Sequence, residues 1–488
     1  MSTGRKFVSD VFVRMAFQVL NALKGLIYLP LIARLFGTTG YSIWSQIFLT
    51  VTLLAPLMTL RLNAALARYM GGLDRGAERS RTFFSAIVPL WIVSAVVLTT
   101  GLAAQNGLAF LLFADSTQTG FALVFSFLLV VRVNFSFVSS YYRSISKIRL
   151  YTTIQTLQIV LEIAALYSIS LRFGQGLQEV LWGFLAIELA LTVGMLIDIV
   201  RRDGLPRRLS RETLRRLLRF SLPLVPAAAM YWVVNSSDRY VIVHLVGLDE
   251  AGVYSAAYRV AQILKLMLQP ISFVLLPLVA GFWERGKQEQ ARLYLSRSTF
   301  WFLILAIPAT AGLVSLGPEI LTTLGTADFL VSRGLIALLA VGELCVGVYQ
   351  IYVYIIYLFE KTWIQPVLFS VLALLNLGLN LVLVPRMGIL GAATTTLGAY
   401  FLQAAFVVIY TDRLFHLPVD RKKLCKAVLG GASVYLATRY VPGSGPVHLV
   451  VAILVGIAVY VTLMLITRAV SLSELRSAAR AKTRDDDT

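Results

Sequence analysis

Cysteine and histidine are nearly absent: of 488 residues two are Cys and three are His. Cys345 and Cys425 lie far apart, and His244, His416 and His448 are scattered with no His-x-x-x-His pattern. Neither a disulfide framework nor a metal site is expected. Charge is scarce too, with 14% charged residues against 58% hydrophobic and a mean hydropathy of +0.77. A water-soluble domain of that composition would expose far too much apolar surface. Acid is the scarcer sign, with 25 Asp and Glu against 44 Lys and Arg, a net charge of +19. Such an excess in a soluble chain would suit nucleic acid, but here most of the bases sit in short stretches between apolar runs, so no nucleic-acid partner is expected. No G-x-x-x-x-G-K-[ST] phosphate loop occurs, which argues against ATP hydrolysis. No cofactor is expected.

What the chain has in abundance is long apolar segments. Cut at Gly, Pro and charge clusters, they give fourteen spans long enough to cross a bilayer. The first two have cores at 13–35 and 41–63, the seventh and eighth at 221–246 and 252–281, and the last two at 424–441 and 447–467. The first apolar run ends at Arg34-Leu35-Phe36-Gly37 rather than at a small-residue cleavage site, so it is read as a retained span, not a signal peptide. Alternating the loops between the two sides leaves only Arg34, Arg172, Arg333, Arg386 and Arg439 on one side, and nearly all other Lys and Arg on the opposite one. By the positive-inside rule both termini are cytoplasmic. The fold class is therefore all-α and polytopic.

Six cations fall inside these spans: Lys24, Arg61, Arg132, Arg239, Arg259 and Lys265. A charge at bilayer depth costs at least about 2.5–3.5 kcal/mol on insertion scales, and such residues usually face a wet interior and mark a substrate or ion path. They also keep polar company. Arg14, Gln18, Asn21, Lys24 and Tyr28 recur at i+3 or i+4 along the first span; Tyr254, Tyr258, Gln262, Lys265 and Gln269 do so along the eighth, and Tyr151, Gln155, Gln158 and Glu162 along the fifth. Hydrogen bonding between helices accounts for Asn376 and Asn380; stripes containing lysine suit a cationic lumen better. Lys24, Arg61, Arg259 and Lys265 are the candidate ligands for a diphosphate, because Lys and Arg give phosphate oxygens charge-assisted hydrogen bonds. Gln18, Asn21, Tyr258 and Gln262 are the candidate glycan contacts. Glu162, Asp238 and Glu343 are candidates for ion coupling or for counter-ions, with Glu188 a further intramembrane acid. Asp238 and Arg239 are neighbours, and residues at i and i+1 do not face each other on a helix, so each is expected to pair elsewhere.

Two patterns bear on organisation. Leu35-Phe36-Gly37 with Gly40-Tyr41-Ser42 recurs roughly two hundred residues later as Leu245-Val246-Gly247 with Gly252-Val253-Tyr254-Ser255, in each case between the first two spans of a six-span unit. Repeats with an even number of spans are parallel, a transporter plan with binding at the repeat interface. The expected division is a first six-helix lobe at 1–205, a basic cytoplasmic linker at 206–219, a second six-helix lobe at 220–415, two additional C-terminal helices at 416–470 and a charged tail at 471–488. Within the linker, Ser210 is placed to cap a short amphipathic helix with Leu214, Leu217 and Leu218 on one face and arginines on the other.

Three segments resemble the Wzx-type polysaccharide flippases of the multidrug/oligosaccharidyl-lipid/polysaccharide exporter superfamily. They are Leu29-Pro30-Leu31-Ile32-Ala33-Arg34-Leu35-Phe36-Gly37 with Gly40-Tyr41-Ser42; Ser221-Leu222-Pro223-Leu224-Val225-Pro226 with Ser237-Asp238-Arg239-Tyr240 and Gly252-Val253-Tyr254-Ser255; and Asn376-Leu377-Gly378-Leu379-Asn380 with Pro385-Arg386-Met387-Gly388. The resemblance implies two six-helix lobes of MATE-like architecture around a central cavity, followed by two extra helices. It also implies a transporter rather than an enzyme, moving an undecaprenyl-diphosphate-linked oligosaccharide to the outer leaflet of a bacterial inner membrane for O-antigen, capsule or exopolysaccharide assembly. A polysaccharide polymerase and a chain-length regulator are the partners it suggests. The rival readings are an ion-coupled multidrug exporter of the same superfamily, which needs an acidic cavity, and a membrane-embedded glycan polymerase or ligase, which usually bears a large external loop.

Overall fold

The computed structural model describes residues 3–73 and 76–467, with side chains from Lys24 onward save Leu26, Pro270 and Phe273. The 471–488 tail lies outside the described residues. Among the described residues there is no strand. The helices run α1 Thr3–Met58, α2 Leu62–Tyr69, α3 Ala77–Ala103, α4 Gln105–Phe113, α5 Thr119–Ser144, α6 Ile148–Tyr167, α7 Leu177–Asp203, α8 Arg211–Ser221, α9 Leu224–Leu245, α10 Leu248–Ala261, α11 Leu264–Glu284, α12 Gln288–Leu324, α13 Arg333–Leu358, α14 Ile364–Met387, α15 Ile389–Asp412, α16 Arg421–Arg439 and α17 Gly445–Ile466.

Every expected span coincides with helix, but the count of fourteen is not reproduced by length and apolarity. Among the described residues eleven helices are long and apolar enough to cross a membrane, or twelve if α8 and α9, bent by 41°, form one span. Three local causes account for the difference. The first two expected spans fall in α1, of which Ile27–Met58 is the stretch of membrane length whose side chains are described. The seventh passes only together with α8, and α16 opens on Arg421, Lys422, Lys423 and Lys426, too basic to pass. Large apolar side chains such as Ile92 on α3, Leu374 on α14 and Val450 on α17 stand exposed on helix surfaces, as lipid-facing residues must.

The described residues fall into two compact units, the first comprising those up to 255 with 365–392 and the second 256–364 with those from 393 to 467. In the first unit, the two copies of the glycine-containing repeat meet. Gly37 breaks α1 with φ 69° and ψ −166°, a conformation open to glycine and poor for other residues. Just beyond it Thr38 and Thr39 donate their hydroxyls to Asp249 Oδ1 at 2.7 and 2.5 Å. A Cβ on Gly252 would lie 2.2 Å from the Thr38 carbonyl oxygen, so a glycine at 252 is what lets α10 approach the α1 break.

Two breaks were not expected. The span read as 41–63 stops at Met58, because Leu60 and Arg61 take left-handed conformations (φ 48° and 56°) that turn the chain into α2. The span read as 252–281 is divided at Gln262 and Ile263 between α10 and α11. The cap expectation holds, as Ser210 Oγ accepts the Thr213 backbone N–H at 3.1 Å, but the single leucine face does not: Leu217 is buried, while Leu214 and Leu218 are half-buried beside the exposed Arg211, Arg215 and Arg219.

Candidate functional site

The first unit gathers the charges of four helices into one buried network. On α1, Lys24 and Tyr28 are one turn apart and face Glu162 of α6: Lys24 Nζ donates to Glu162 Oε2 at 2.9 Å and the Tyr28 hydroxyl to the same oxygen at 2.7 Å. Arg132 of α5 reaches between α6 and α7, its Nε donating to Glu188 Oε1 at 2.6 Å while its terminal nitrogen pairs with both Glu162 and Glu188. Gln158, one turn before Glu162, donates to Glu162 Oε1 at 2.9 Å and to Glu188 Oε1 at 2.5 Å. The Arg132 guanidinium also lies 4.3 Å from the centre of the Phe48 ring, a cation–π contact.

Two cations and two carboxylates make the network neutral as a set. That balance matters because dehydrating an ion costs several kcal/mol, recovered only where the partner geometry and the remaining hydrogen bonds are good. The sharing is uneven. Glu162 has four donor residues around it, so it stays solvated by protein if one of them leaves.

The second unit has a sparser counterpart. Lys265 Nζ of α11 lies 3.2 Å from Glu343 Oε1 of α13. Both Glu343 oxygens are buried without a hydrogen-bond donor of good geometry among the described residues. The two pairs share one asymmetry: the carboxylate side chains are sealed, at 1% and 0% exposure, whereas the lysine side chains keep 19% and 27%. The accessible end of each pair is the cation.

The remaining candidates are placed as follows. Arg61 stands in the left-handed turn before α2, half-buried, its Nε without a partner among the described residues. Arg259 is half-buried and donates to Gln262 Oε1 at 3.3 Å, which puts one diphosphate candidate against one glycan candidate. Tyr258 is buried with its hydroxyl 2.5 Å from that of Tyr400, which gives that hydroxyl a packing role in this conformation. The side chains of Gln18 and Asn21 lie outside the described residues.

For Asp238 the expectation of a partner on another helix holds, through Tyr254 of α10, but Asp238 and Arg239 also pair with each other, which was not expected. The Arg239 guanidinium folds back and donates to Asp238 Oδ1 at 3.0 Å, while Tyr254 donates to Asp238 Oδ2 at 2.5 Å. A long arginine side chain spans what the i, i+1 backbone geometry does not. The interhelical reading holds for Asn376, to which Ser237 of α9 donates at 3.4 Å; Asn380 donates to Asn376 at 3.0 Å within α14. Sequence reasoning underweighted Arg132 and Glu188, the residues that tie α5 and α7 into the network. Their signal was a single intramembrane charge on each of two helices, with no stripe to say that they faced each other.

Membrane-length helices with sunken ion pairs define a multi-pass helical membrane protein. Residues 7–283, more than half the chain, match the polysaccharide biosynthesis protein family, and the chain belongs to it. Over 262 residues it is 22% identical to the probable low-salt glycan biosynthesis flippase Agl15 of Haloferax volcanii, covering 51% of this chain and 56% of that protein. The chain spans about half the length of the curated relatives it matches. Its fold is similar to that of the lipid II flippase MurJ in an inward closed conformation, with TM-score 0.74 and 15% identity over 93% of this chain and 98% of that one. It is also similar to an inward-facing multidrug resistance MATE family transporter of the MOP superfamily, with TM-score 0.66 and 15% identity over 82% and 94% of the two chains. The helical membrane fold implied by the sequence segments is thus the fold found, the count of fourteen spans excepted.

Proposed function

We propose that the protein flips a lipid-linked oligosaccharide, in its finer form an undecaprenyl-diphosphate-linked one, from the cytoplasmic to the outer leaflet of a bacterial inner membrane for O-antigen, capsule or exopolysaccharide assembly. The observation that carries the reading is the asymmetry of Lys24 with Glu162 and Lys265 with Glu343, in which the acid is sealed and the ammonium accessible. An anion approaching either pair meets the cation first. A cationic drug would need the reverse, so the multidrug reading is the weaker one despite the shared fold. Membership of the polysaccharide biosynthesis family supports the glycan part of the substrate.

In this reading Lys24, Arg61, Arg259 and Lys265 supply ligands to the diphosphate, Gln18, Asn21, Tyr258 and Gln262 meet the sugars, and the lipid tail stays among the acyl chains. Drawing Lys24 toward phosphate leaves Glu162 still held by Tyr28, Arg132 and Gln158. Drawing Lys265 away leaves Glu343 with no comparable set of donors. Glu343 is therefore the better place for a proton or sodium ion to exchange with the lysine, with Glu162 and Asp238 serving as counter-ions. Membrane potential contributes in the same direction, since two negative charges moving outward across 100 mV gain about 4.6 kcal/mol at about 2.3 per charge. Both termini lie on the cytoplasmic side, and a polymerase and a chain-length regulator receive the product. Deleting the gene and identifying the lipid-linked intermediates that accumulate by mass spectrometry tests the assignment. Accumulation of a diphosphate-linked glycan is expected; an unchanged pool overturns it.

A further inference from the structure

The segment from the end of α7 to the start of α9 is the most basic in the chain, and the structure shows why its arginines do not simply dissolve into solvent. The segment is pinned at both ends of its loop: Ser80 donates to the Gly204 carbonyl at 2.7 Å, and the Ser210 backbone N–H donates to Ser85 Oγ at 3.0 Å. The inner face of α8 is closed by protein. Leu217 and Ser221 are buried, the Arg216 guanidinium lies 4.6 Å from the Tyr69 ring centre, and that of Arg68 lies 4.5 Å from Phe220.

The outer face is open and of two kinds. Arg211, Arg215, Arg216 and Arg219 are exposed and, with Leu214, Leu218 and the single acid Glu212, border a groove of about 830 Å³ that runs to Leu222 and Pro223. Leu205, Leu209 and Leu222 are also exposed among Arg207, Arg208 and the α8 arginines. Leucines at this density would be costly in water. Within four residues of the end of α8 the chain enters α9, an apolar helix that continues from it through a 41° bend, so the groove lies where a membrane-crossing helix begins.

We propose that this surface is a seat for anionic phospholipid headgroups, with the arginines on lipid phosphate and Leu205, Leu209 and Leu222 in the acyl boundary beneath. The chemistry fits a lipid better than a soluble acidic protein because the apolar residues interleave with the cations, as in interfacial amphipathic helices, and because the groove is continuous with a helix of membrane length. Bidentate guanidinium geometry suits phosphate, and each basic residue near an anionic leaflet gains about 1 kcal/mol. The seat ties the α7–α9 junction to the charge of the adjacent leaflet, independently of what the protein transports.

The test uses the full chain in mixed micelles of phosphatidylglycerol and phosphatidylcholine, with the lipid that co-purifies counted by mass spectrometry. The wild type retains phosphatidylglycerol several-fold over its share of the mixture, and the enrichment falls as salt shortens the screening length. R211Q/R215Q/R216Q/R219Q loses the preference. The charge-preserving R211K/R215K/R216K/R219K retains most of it, and this second variant keeps the test decisive should the first unfold. R285Q/K287Q/R297Q/R413Q removes the same charge from other exposed positions and leaves the enrichment intact. No enrichment in the wild type, equal loss in the last variant, displacement of the lipid by millimolar inorganic phosphate at constant ionic strength, or lipid retention that requires an added acidic protein would each overturn the proposal.

Discussion

The buried charges of this protein are arranged so that removing different members has different consequences. Arg132 is the member whose loss costs most, because Glu162 and Glu188 both depend on it. Breaking a buried pair by deleting one partner typically costs about 3–5 kcal/mol, so Arg132→Leu should lower the thermal unfolding temperature of the purified protein markedly. Lys24→Ala should lower it far less, since Glu162 keeps its other donors. At Gly252 the expectation is steric: Gly252→Ala drives a Cβ against the Thr38 carbonyl and should destabilise. Gly194→Ala on α7, with nothing within 4 Å of the added methyl, should be neutral or stabilising. A pair of melting curves separates the two. The polar stripes were legible in the sequence because helical spacing shows which residues share a face. What spacing cannot show is which helix that face meets, and this is why the roles of Arg132 and Glu188 emerged only with the fold.

At the scale of elements, α8 was legible down to its cap, because Ser210 followed by a Leu and Arg alternation of helical period is a local signal. Ser210→Ala should remove about 0.5–2 kcal/mol from the helix, seen as faster amide exchange over residues 211–221 with little change in α9. The breaks at Leu60–Arg61 and Gln262–Ile263 were not legible. Neither carries Gly or Pro, and the left-handed conformation of Leu60 and Arg61 costs roughly 1–2 kcal/mol each. Apolarity alone ran through both. The break after α10 divides the stripe of the eighth expected span, with Tyr258 on α10 and Lys265 on α11. Coupling is expected to depend on the second of these helices. Glu343→Gln, which keeps the shape and frees Lys265, should leave a transporter whose rate no longer responds to an imposed proton or sodium gradient, and Glu162→Gln should retain the response. Equal responses in the two variants would remove Glu343 from the coupling role.

For the molecule as a whole, composition signalled a polytopic helical membrane protein, and the fold agrees. The glycine motif read as a weak internal repeat marks two breaks that touch through Thr38, Thr39 and Asp249, a contact that no sequence comparison between the copies would reveal. The central claim is that accessible intramembrane lysines carry the diphosphate of a lipid-linked glycan across the bilayer. Its most direct measurement is a flipping assay on vesicles containing the full chain and a fluorescent diphosphate-linked oligosaccharide lipid, scored by how fast the label becomes accessible to a reagent confined to one side. The wild type should exceed protein-free vesicles, and Lys24→Ala and Lys265→Ala should each fall by about tenfold or more, equivalent to about 1.4 kcal/mol, with the thermal transition of Lys24→Ala staying close to that of the wild type. Wild-type vesicles no faster than protein-free ones, or both lysine variants as fast as the wild type, would contradict the account.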